Sequence, residues 1–403
     1  MSVTALRSAA RRIRETARVS GPLWTAALIL DRVLPCRVLG LWPHRMVAPQ
    51  ALATQVDGLL RAWGMSPEHA SIVVDRMLYA DLRGIDSHGC SMLLHYYRGF
   101  AEGSLTMTPT IAVVRDGETT ALIDGGGGLG HVPADMAMKL AMAKCSEAGI
   151  GAVAVRNSGH FGAAGAYASM AAQVGFIGIA TTTTRTPAVV PTFGVEAMLG
   201  TNPIAFAAPA TRHPPFVLDM ATSTASLGTL TTAWRKGRSI PAGWALAANG
   251  APVTNGRRAA LQRRLTPLGS SRRMGSHKGY GLAVVVQILS SVLTGVRPRG
   301  GTANDVSSVG HFFLALDPRR FGEPGEFEAD LDALIDSLHG CTPINAERPV
   351  LVAGDPEHAA YAERCRVGIP LSRSVIEDIR TVARASAVPF VLEAGIGGHA
   401  PGA

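Results

Sequence analysis

The chain has 403 residues, of which 47% are hydrophobic and 17% charged, so it is long and apolar enough to fold around a sizeable core. Residues 1–45 contain eight Arg against Glu15 and Asp31, a net +6 of the total +8. The other 358 residues carry only +2 and show no basic stripe interleaved with aromatic residues. We therefore predict no nucleic-acid-binding function.

The cysteine pattern predicts neither a disulfide framework nor a zinc site, because five Cys is an odd number and no two have CxxC spacing. This favours a reducing, cytoplasmic location. No apolar run reaches the roughly 18–20 residues that span a bilayer, so no membrane span is predicted. No HExxH motif or metal-spaced carboxylate pair occurs, and no metal is expected.

The first 45 residues leave three interpretations open: a non-native or disordered extension, a surface or interaction helix, or a targeting peptide. Under the first, Met46 is the natural start and leads directly into the first helix. Beyond it, helical periodicity, caps and apolar runs predict an α/β protein. The expected helices are 50–62, 67–82, 93–100, 133–148, 163–174, 279–293, 328–338 and 372–384, and the expected strands are 111–114, 120–123, 152–155, 177–180, 216–218 and 312–316.

A glycine-rich turn offers one explanation of function. Gly125, Gly127 and Gly130 fit G-x-G-x-x-G between a predicted strand and a predicted helix, as in Rossmann dinucleotide-binding folds. No Asp or Glu ends the next strand to hold a ribose, although Arg156 there could bind a 2′-phosphate. A Rossmann reductase therefore stays open.

Three histidines lie in glycine-flanked turns: His88, His160 and His277. Hydride transfer to a carbonyl needs a group that exchanges a proton with the oxygen, and histidine titrates near neutral pH. Each His could instead be a structural turn residue. Asp219 ends a predicted strand, where it either caps a helix or accepts a ribose hydroxyl, and Lys278 at a helix start indicates an anionic ligand such as a phosphate.

Taken together, these turns resemble the malate/L-lactate dehydrogenase family of the second, non-Rossmann type. That family includes ureidoglycolate, sulfolactate, diketogulonate and piperideine-2-carboxylate oxidoreductases. The matching stretches, in order along residues 47–390, are 80–89, 151–162, 199–210, 215–223, 275–283, 309–318, 354–357 and 366–372.

The resemblance implies a mixed or mostly antiparallel sheet flanked by helices, with a helical subdomain built from both chain ends. We expect a helical, substrate-binding part (46–115 and 325–390) and a cofactor-binding α/β core (116–324). The resemblance also implies an NAD- or NADP-dependent homodimer that oxidises a small 2-hydroxy acid or reduces the 2-oxo acid.

The resemblance assigns roles residue by residue. His160 matches the proton acceptor or donor, and Ser87-His88 matches a pair with an acid/base role in the imino-acid reductase branch. Phe161, Gly162, Ala163 and Ala164 would line the substrate pocket. The matching cofactor contacts are Thr184, Asp219, Met220, Ala221, His277, Lys278, Gly354, Asp355 and Pro356.

The sequence departs from the family pattern at Met92, where many relatives carry a carboxylate-binding Arg; Arg98 is a candidate substitute. Thr229 and Gln287 also stand where charged residues are common. Two alternatives to a 2-hydroxy acid dehydrogenase follow: a cyclic imino-acid reductase, and an inactive relative that acts as a binding protein.

Overall fold

The computed structural model describes residues 44–235, 237–296 and 309–393. The predicted basic extension, residues 1–45, therefore lies almost wholly outside the described residues. In chain order the elements are β1 (His44–Val47), α1 (Pro49–Ala62), α2 (Pro67–Leu82), α3 (Leu93–Ala101), β2 (Ala112–Asp116), β3 (Thr120–Asp124), α4 (His131–Ala148), β4 (Ile150–Ser158), α5 (Gly165–Ala172), β5 (Ile177–Thr182), β6 (Ile204–Ala208), β7 (Phe216–Met220), α6 (Leu227–Arg235), β8 (Ala245–Leu246), β9 (Pro252–Val253), α7 (Gly256–Gln262), α8 (Ser276–Gln287), β10 (Val309–Leu316), α9 (Glu326–His339), α10 (Asp355–Val367), β11 (Ile369–Ser372) and α11 (Arg373–Ala385).

A seven-stranded sheet forms the centre of the molecule, in the order β2-β3-β4-β10-β5-β6-β7. Only β3 and β4 run parallel, and the other five neighbouring pairs are antiparallel. The prediction of a mixed, mostly antiparallel sheet flanked by helices is confirmed.

The strand at the middle of the sheet comes from far along the chain. β10 pairs with β4 on one side and β5 on the other, more than 125 residues earlier in sequence. Its inward-facing residues His311, Phe313 and Ala315 are completely buried. β10 therefore sets the spacing between the loops that follow β4 and β5.

The Rossmann alternative is wrong, although β3, α4 and β4 do form a parallel βαβ unit. A Rossmann sheet continues with further parallel strands, whereas β10 enters here antiparallel to β4. The glycines face the protein's own chain: a Cβ on Gly128 would collide with the Pro109 ring, and one on Gly130 with the Gly159 carbonyl. These glycines of the turn therefore serve close packing of the chain.

Both chain ends contribute to one helical layer, as predicted. β1 pairs with β11, and the apolar faces of α1, α2, α3 and α11 share one core that includes Leu59, Met77 and Ile379. The prediction that Met46 leads directly into the first helix is wrong. Met46 lies inside β1, where the preceding residue, Arg45, already pairs with Leu371. The ordered fold thus includes residues before Met46.

The helix boundaries follow their caps. The Ser66 hydroxyl accepts a hydrogen bond from the His69 N–H, and Pro67 occupies the first turn of α2. The helix predicted for 279–293 begins three residues earlier, and its α-helical geometry ends at Gln287, where a π-helical turn, Ile288–Val292, continues it. Several elements were not predicted, among them the short β6 and α7 and the 13-residue α10.

Candidate active site

Two of the three glycine-flanked histidines meet in one cavity. The rings of His88 and His160 stack with centroids 5.5 Å apart and an interplanar angle of 24°. They lie against a cavity of about 670 Å³, which Ser87, Phe161 and Gly162 also line. The third, His277, is exposed in the first turn of α8 and does not line this cavity.

Hydrogen bonds between strands hold the turn that carries His160 (residues 157–162, the β4 turn). On the neighbouring β10, His311 bonds the Ser158 hydroxyl through Nε2 (2.9 Å) and the Thr182 hydroxyl through Nδ1 (2.7 Å). Its ring also stacks on Phe161, 4.6 Å away and 7° from parallel. Because all of these groups are buried, the β4 turn has little freedom to move.

The Tyr96 hydroxyl influences which ring nitrogen of His160 carries the proton. Nδ1 lies 2.7 Å from that hydroxyl and accepts a hydrogen bond from the Gly162 N–H at 3.3 Å. Because a hydroxyl can donate or accept, the Tyr96 oxygen can also accept a hydrogen bond from Nδ1–H, and Nε2 then carries the lone pair. Nε2 has no hydrogen-bond partner among the described residues, which leaves it available to a ligand in the cavity.

Both imidazoles are held neutral at pH 7. Desolvation lowers the pKa of His160 well below 6.5, and the nearby His88 and His131 lower it further. Desolvation also lowers the pKa of His88. Two stacked imidazoles cannot both carry charge in such a site, so the pair can exchange one proton at a time with a ligand.

Side chains, rather than strands, hold the turn that carries His88 (residues 83–89, the α2 turn). The buried Arg364 of α10 donates to the Asp81 carbonyl and, at 2.5 Å, to the Asp86 carboxylate. The Asp81 carboxylate accepts from the Cys90 N–H at 2.8 Å. Within the turn, the Ser87 hydroxyl bonds His88 Nδ1 at 2.8 Å, so Ser87 orients the ring.

Not every predicted substrate-lining residue reaches the cavity. Phe161, Gly162 and Arg98 line it, whereas Ala163 and Ala164 are buried behind it and pack at the start of α5. Thr184, predicted as a cofactor contact, also lines the cavity with an exposed hydroxyl.

Six of the remaining predicted cofactor residues lie on two adjoining segments, 219–221 and 354–356. The solvent-accessible Asp219 accepts a hydrogen bond from the Gly165 N–H at 2.7 Å, beside the start of α5. The protein atoms packed around this carboxylate, and then the charge of Glu357, raise its pKa to about 6, although one side of the residue is open to solvent. Met220 and Ala221 follow it, and the Gly354 turn touches the same strand, where the Val217 N–H donates to the Ala353 carbonyl.

Asp355 is used structurally, because its carboxylate accepts from the Val352 N–H (2.7 Å) and bonds His339 (2.8 Å). Pro356 is exposed in the first turn of α10, and Lys278 is exposed beside His277. Lys278 forms no ion pair with any residue in the described ranges. It is therefore free to meet an anion.

Sequence reasoning missed three residues around His160: Tyr96, His131 and His311. His131 is fully buried beside Tyr96 and His160, and neither of its ring nitrogens has a partner within the described chain. Desolvation lowers its pKa to about 3. His131 and His311 each follow a glycine, so the glycine-flanked signal was present for both; nothing in the sequence distinguished Tyr96 from an ordinary core residue.

Comparison with known proteins relates this arrangement to one family. The model of the malate/L-lactate dehydrogenase family matches residues 47–380. A malate dehydrogenase of Pyrococcus horikoshii is 41% identical over 330 residues, which cover 81% of this chain and 91% of that protein. An L-sulfolactate dehydrogenase of Methanothermobacter thermautotrophicus is 36% identical over 343 residues, 84% and 96% of the two chains.

Solved structures show the same fold. The malate dehydrogenase of Entamoeba histolytica superposes with a TM-score of 0.81 at 31% identity, covering 86% of this chain and 99% of that one. The structure of the Pyrococcus horikoshii enzyme gives 0.78 at 37% identity, covering 86% and 97%. The similarity spans the sheet, the helical layer and both histidine turns.

Proposed function

The chain belongs to the malate/L-lactate dehydrogenase family, and from this premise we propose that it interconverts a small 2-hydroxy acid and its 2-oxo acid with NAD or NADP, using His160 and His88 for the proton. One observation carries the proposal: two stacked neutral imidazoles line one cavity, and neither Nε2 has a hydrogen-bond partner among the described residues.

The proton chemistry follows from the hydrogen bonds. A bound nicotinamide cofactor would supply or accept the hydride at the substrate carbon. His160 then exchanges a proton with the substrate oxygen through Nε2: while Nδ1–H donates to the Tyr96 oxygen, the Nε2 lone pair takes the hydroxyl proton in oxidation, and the imidazolium returns it in reduction. His88, oriented by Ser87, is the second group able to hold that proton.

The residues predicted to hold the cofactor suit a dinucleotide. Asp219 is an accessible carboxylate, one oxygen of which is already fixed by Gly165, so the other can accept from a ribose hydroxyl. Lys278, an exposed cation, and His277, an exposed imidazole, lie in the first turn of α8 and suit a phosphate. Met220, Ala221 and the Gly354 turn would pack against the cofactor from the β7 side.

We also infer a homodimer in the cytoplasm. Along one face of α8 and its π-turn, Leu282, Val285, Ile288 and Val292 are 40–63% exposed, a continuous apolar surface typical of a subunit interface. Cys90 and Cys145 are buried as free thiols, which suits a reducing compartment. Among the described residues no helix is long and apolar enough to cross a membrane. Light scattering of the purified protein would give the mass of the assembly and so test the homodimer.

Activity measurements test the proposal. The purified protein should oxidise NADH or NADPH with one of pyruvate, oxaloacetate, 2-oxoglutarate or Δ1-piperideine-2-carboxylate. His160→Gln should lower kcat by about 10²- to 10⁴-fold with cofactor binding retained, while the control His69→Gln on α2 should leave kcat unchanged.

Since the pKa of His160 lies well below 6.5, kcat/KM for oxidation should stay level above pH 6.5 and fall only on acidification. Turnover of the imine alone would identify an imino-acid reductase, and a chain that binds no nicotinamide cofactor would be an inactive relative.

A further inference from the structure

The cavity beside His88 and His160 has a cationic rim, and this matters because every 2-oxo acid carries a carboxylate next to the reacting carbon. Among the described residues, Arg98, Arg185 and Arg263 line the cavity, against one acidic lining residue, Glu102. None of the three arginines forms an ion pair with a residue in the described ranges. A carboxylate entering the cavity therefore meets unpaired guanidinium groups.

The wall nearest the α2 turn cannot bind that carboxylate. Met92, four residues after His88, lines the cavity with a thioether, and Leu105 and Leu129 add further apolar surface. A thioether is at best a weak hydrogen-bond acceptor and donates nothing to an anion. The cation must come from another element.

Arg185 is attached to the same framework as His160. It follows β5 by three residues, and the Thr182 hydroxyl at the end of that strand bonds His311, which in turn bonds Ser158 at the base of the β4 turn. A short, buried connection thus links the backbone at Arg185 to the backbone at His160. Such a connection can hold a carboxylate at a fixed distance from the proton-exchanging imidazole.

The other two arginines are less suited to this role. Arg98 lies on α3 one turn before Glu102, whose charge opposes its own near the cavity. Arg263 ends α7 in the small lobe around β8 and β9, outside the central sheet. Arg185 reaches towards α3: after desolvation, the charges of Arg185 and then Arg98 lower the pKa of His95 on that helix.

We propose that Arg185 is the residue that binds the substrate carboxylate adjacent to the reacting carbon, in place of the cation that Met92 cannot supply. This inference rests on the proposed function and specifies how that site recognises its substrate. It assigns the strongest contact with the acid to the loop after β5, and not to Arg98.

The first test compares an acid with its uncharged ester. Wild-type protein should prefer pyruvate to methyl pyruvate, and Arg185→Met should lower kcat/KM for pyruvate by about 10- to 100-fold with little change for the ester, so that the preference collapses. Arg185→Lys should restore part of it, because an ammonium keeps the charge without the bidentate geometry. Arg257→Met, which removes an exposed arginine of α7 outside the cavity, is the matched control and should behave as wild type.

An equal loss for acid and ester would overturn the proposal, since it would show a general disturbance of the site. An unchanged preference would overturn it as well, and would return the role to Arg98.

Binding of oxamate, a non-reactive analogue of pyruvate, separates this inference from the proposed function. Calorimetric titration in the presence of NADH or NADPH should show binding by wild type and at least about tenfold weaker binding by Arg185→Met. If no substrate turns over but this difference is seen, the carboxylate site stands and the proposed function fails. If Arg185→Met binds oxamate as tightly as wild type, the carboxylate site is refuted, whatever the activity.

Discussion

The two histidine turns of the cavity are built in different ways. The β4 turn lies beside the central strand of the sheet. It is held by backbone contacts, by buried hydroxyl groups and by the neutral ring of His311. The α2 turn is held by the Arg364–Asp86 ion pair and by hydrogen bonds to the carbonyl and side chain of Asp81. One active site thus combines a turn fixed by close packing with a turn fixed by ion pairs, and the two should fail under different perturbations.

The largest effect is expected from adding one methyl group under the β4 turn. In Gly130→Ala the new Cβ would collide with the Gly159 carbonyl oxygen and with Phe161, and backbone inside a packed sheet cannot move aside. We expect a loss of about 3 kcal/mol or more of unfolding free energy, measured by urea denaturation. Gly281→Ala is the control, because a Cβ there meets nothing within 4 Å. Equal stability of the two variants would show that the β4 turn is not tightly packed.

A smaller effect, on catalysis rather than folding, is expected at the α2 turn. Arg364→Met keeps the aliphatic contacts but removes the donors to Asp86 and to the Asp81 carbonyl, so Ser87 and His88 should lose their alignment. We expect kcat to fall up to about 100-fold, with circular dichroism unchanged.

Arg366→Met, an exposed neighbour on the same helix, should keep full activity. An Arg364→Met enzyme with wild-type kcat would mean that the α2 turn holds its shape without the ion pair.

The smallest expected effect is on the pH dependence of folding stability, which should have opposite signs for the two turns. Desolvation raises the pKa of Asp81 to about 7, so its protonated form favours the folded state, and its contribution is lost as pH rises from about 4 through 7. Desolvation lowers the pKa of His311 to about 3, so the β4 turn is instead weakened when pH falls below about 6.5.

Asp81→Asn cannot ionise, and its Tm relative to wild type should therefore rise between pH 5 and pH 8, by about 1 °C for each kcal/mol in a chain of this length. Parallel Tm profiles of the two proteins would contradict the raised pKa of Asp81.

The same contrast explains what could be predicted from the sequence. Periodicity located most long helices, though not α10, and most central strands, and the glycine-flanked motifs identified His88 and His160, because close backbone approach leaves a local signature. The groups that position them come from elsewhere: His311 lies 151 residues after His160, and the Arg364–Asp86 pair spans 278. No local pattern encodes such pairings, and a buried Arg in a strongly charged helix reads as a surface residue.

His277 shows that a local signature does not fix where a residue lies. It shares the glycine-flanked setting of His88 and His160, yet it lies in the first turn of α8 outside the cavity. A motif reports what a residue can do locally, and only the sheet order decides which motifs meet.

The central position of β10 also has a consequence for how the protein is made. β4 and β5 cannot acquire their common neighbour until residues 309–316 have left the ribosome, about 130 residues after the end of β5. Pairings of such long sequence separation close late and slowly. Until then β4 and β5 each keep one unpaired edge. The acid/base pocket is therefore among the last parts of the molecule to form.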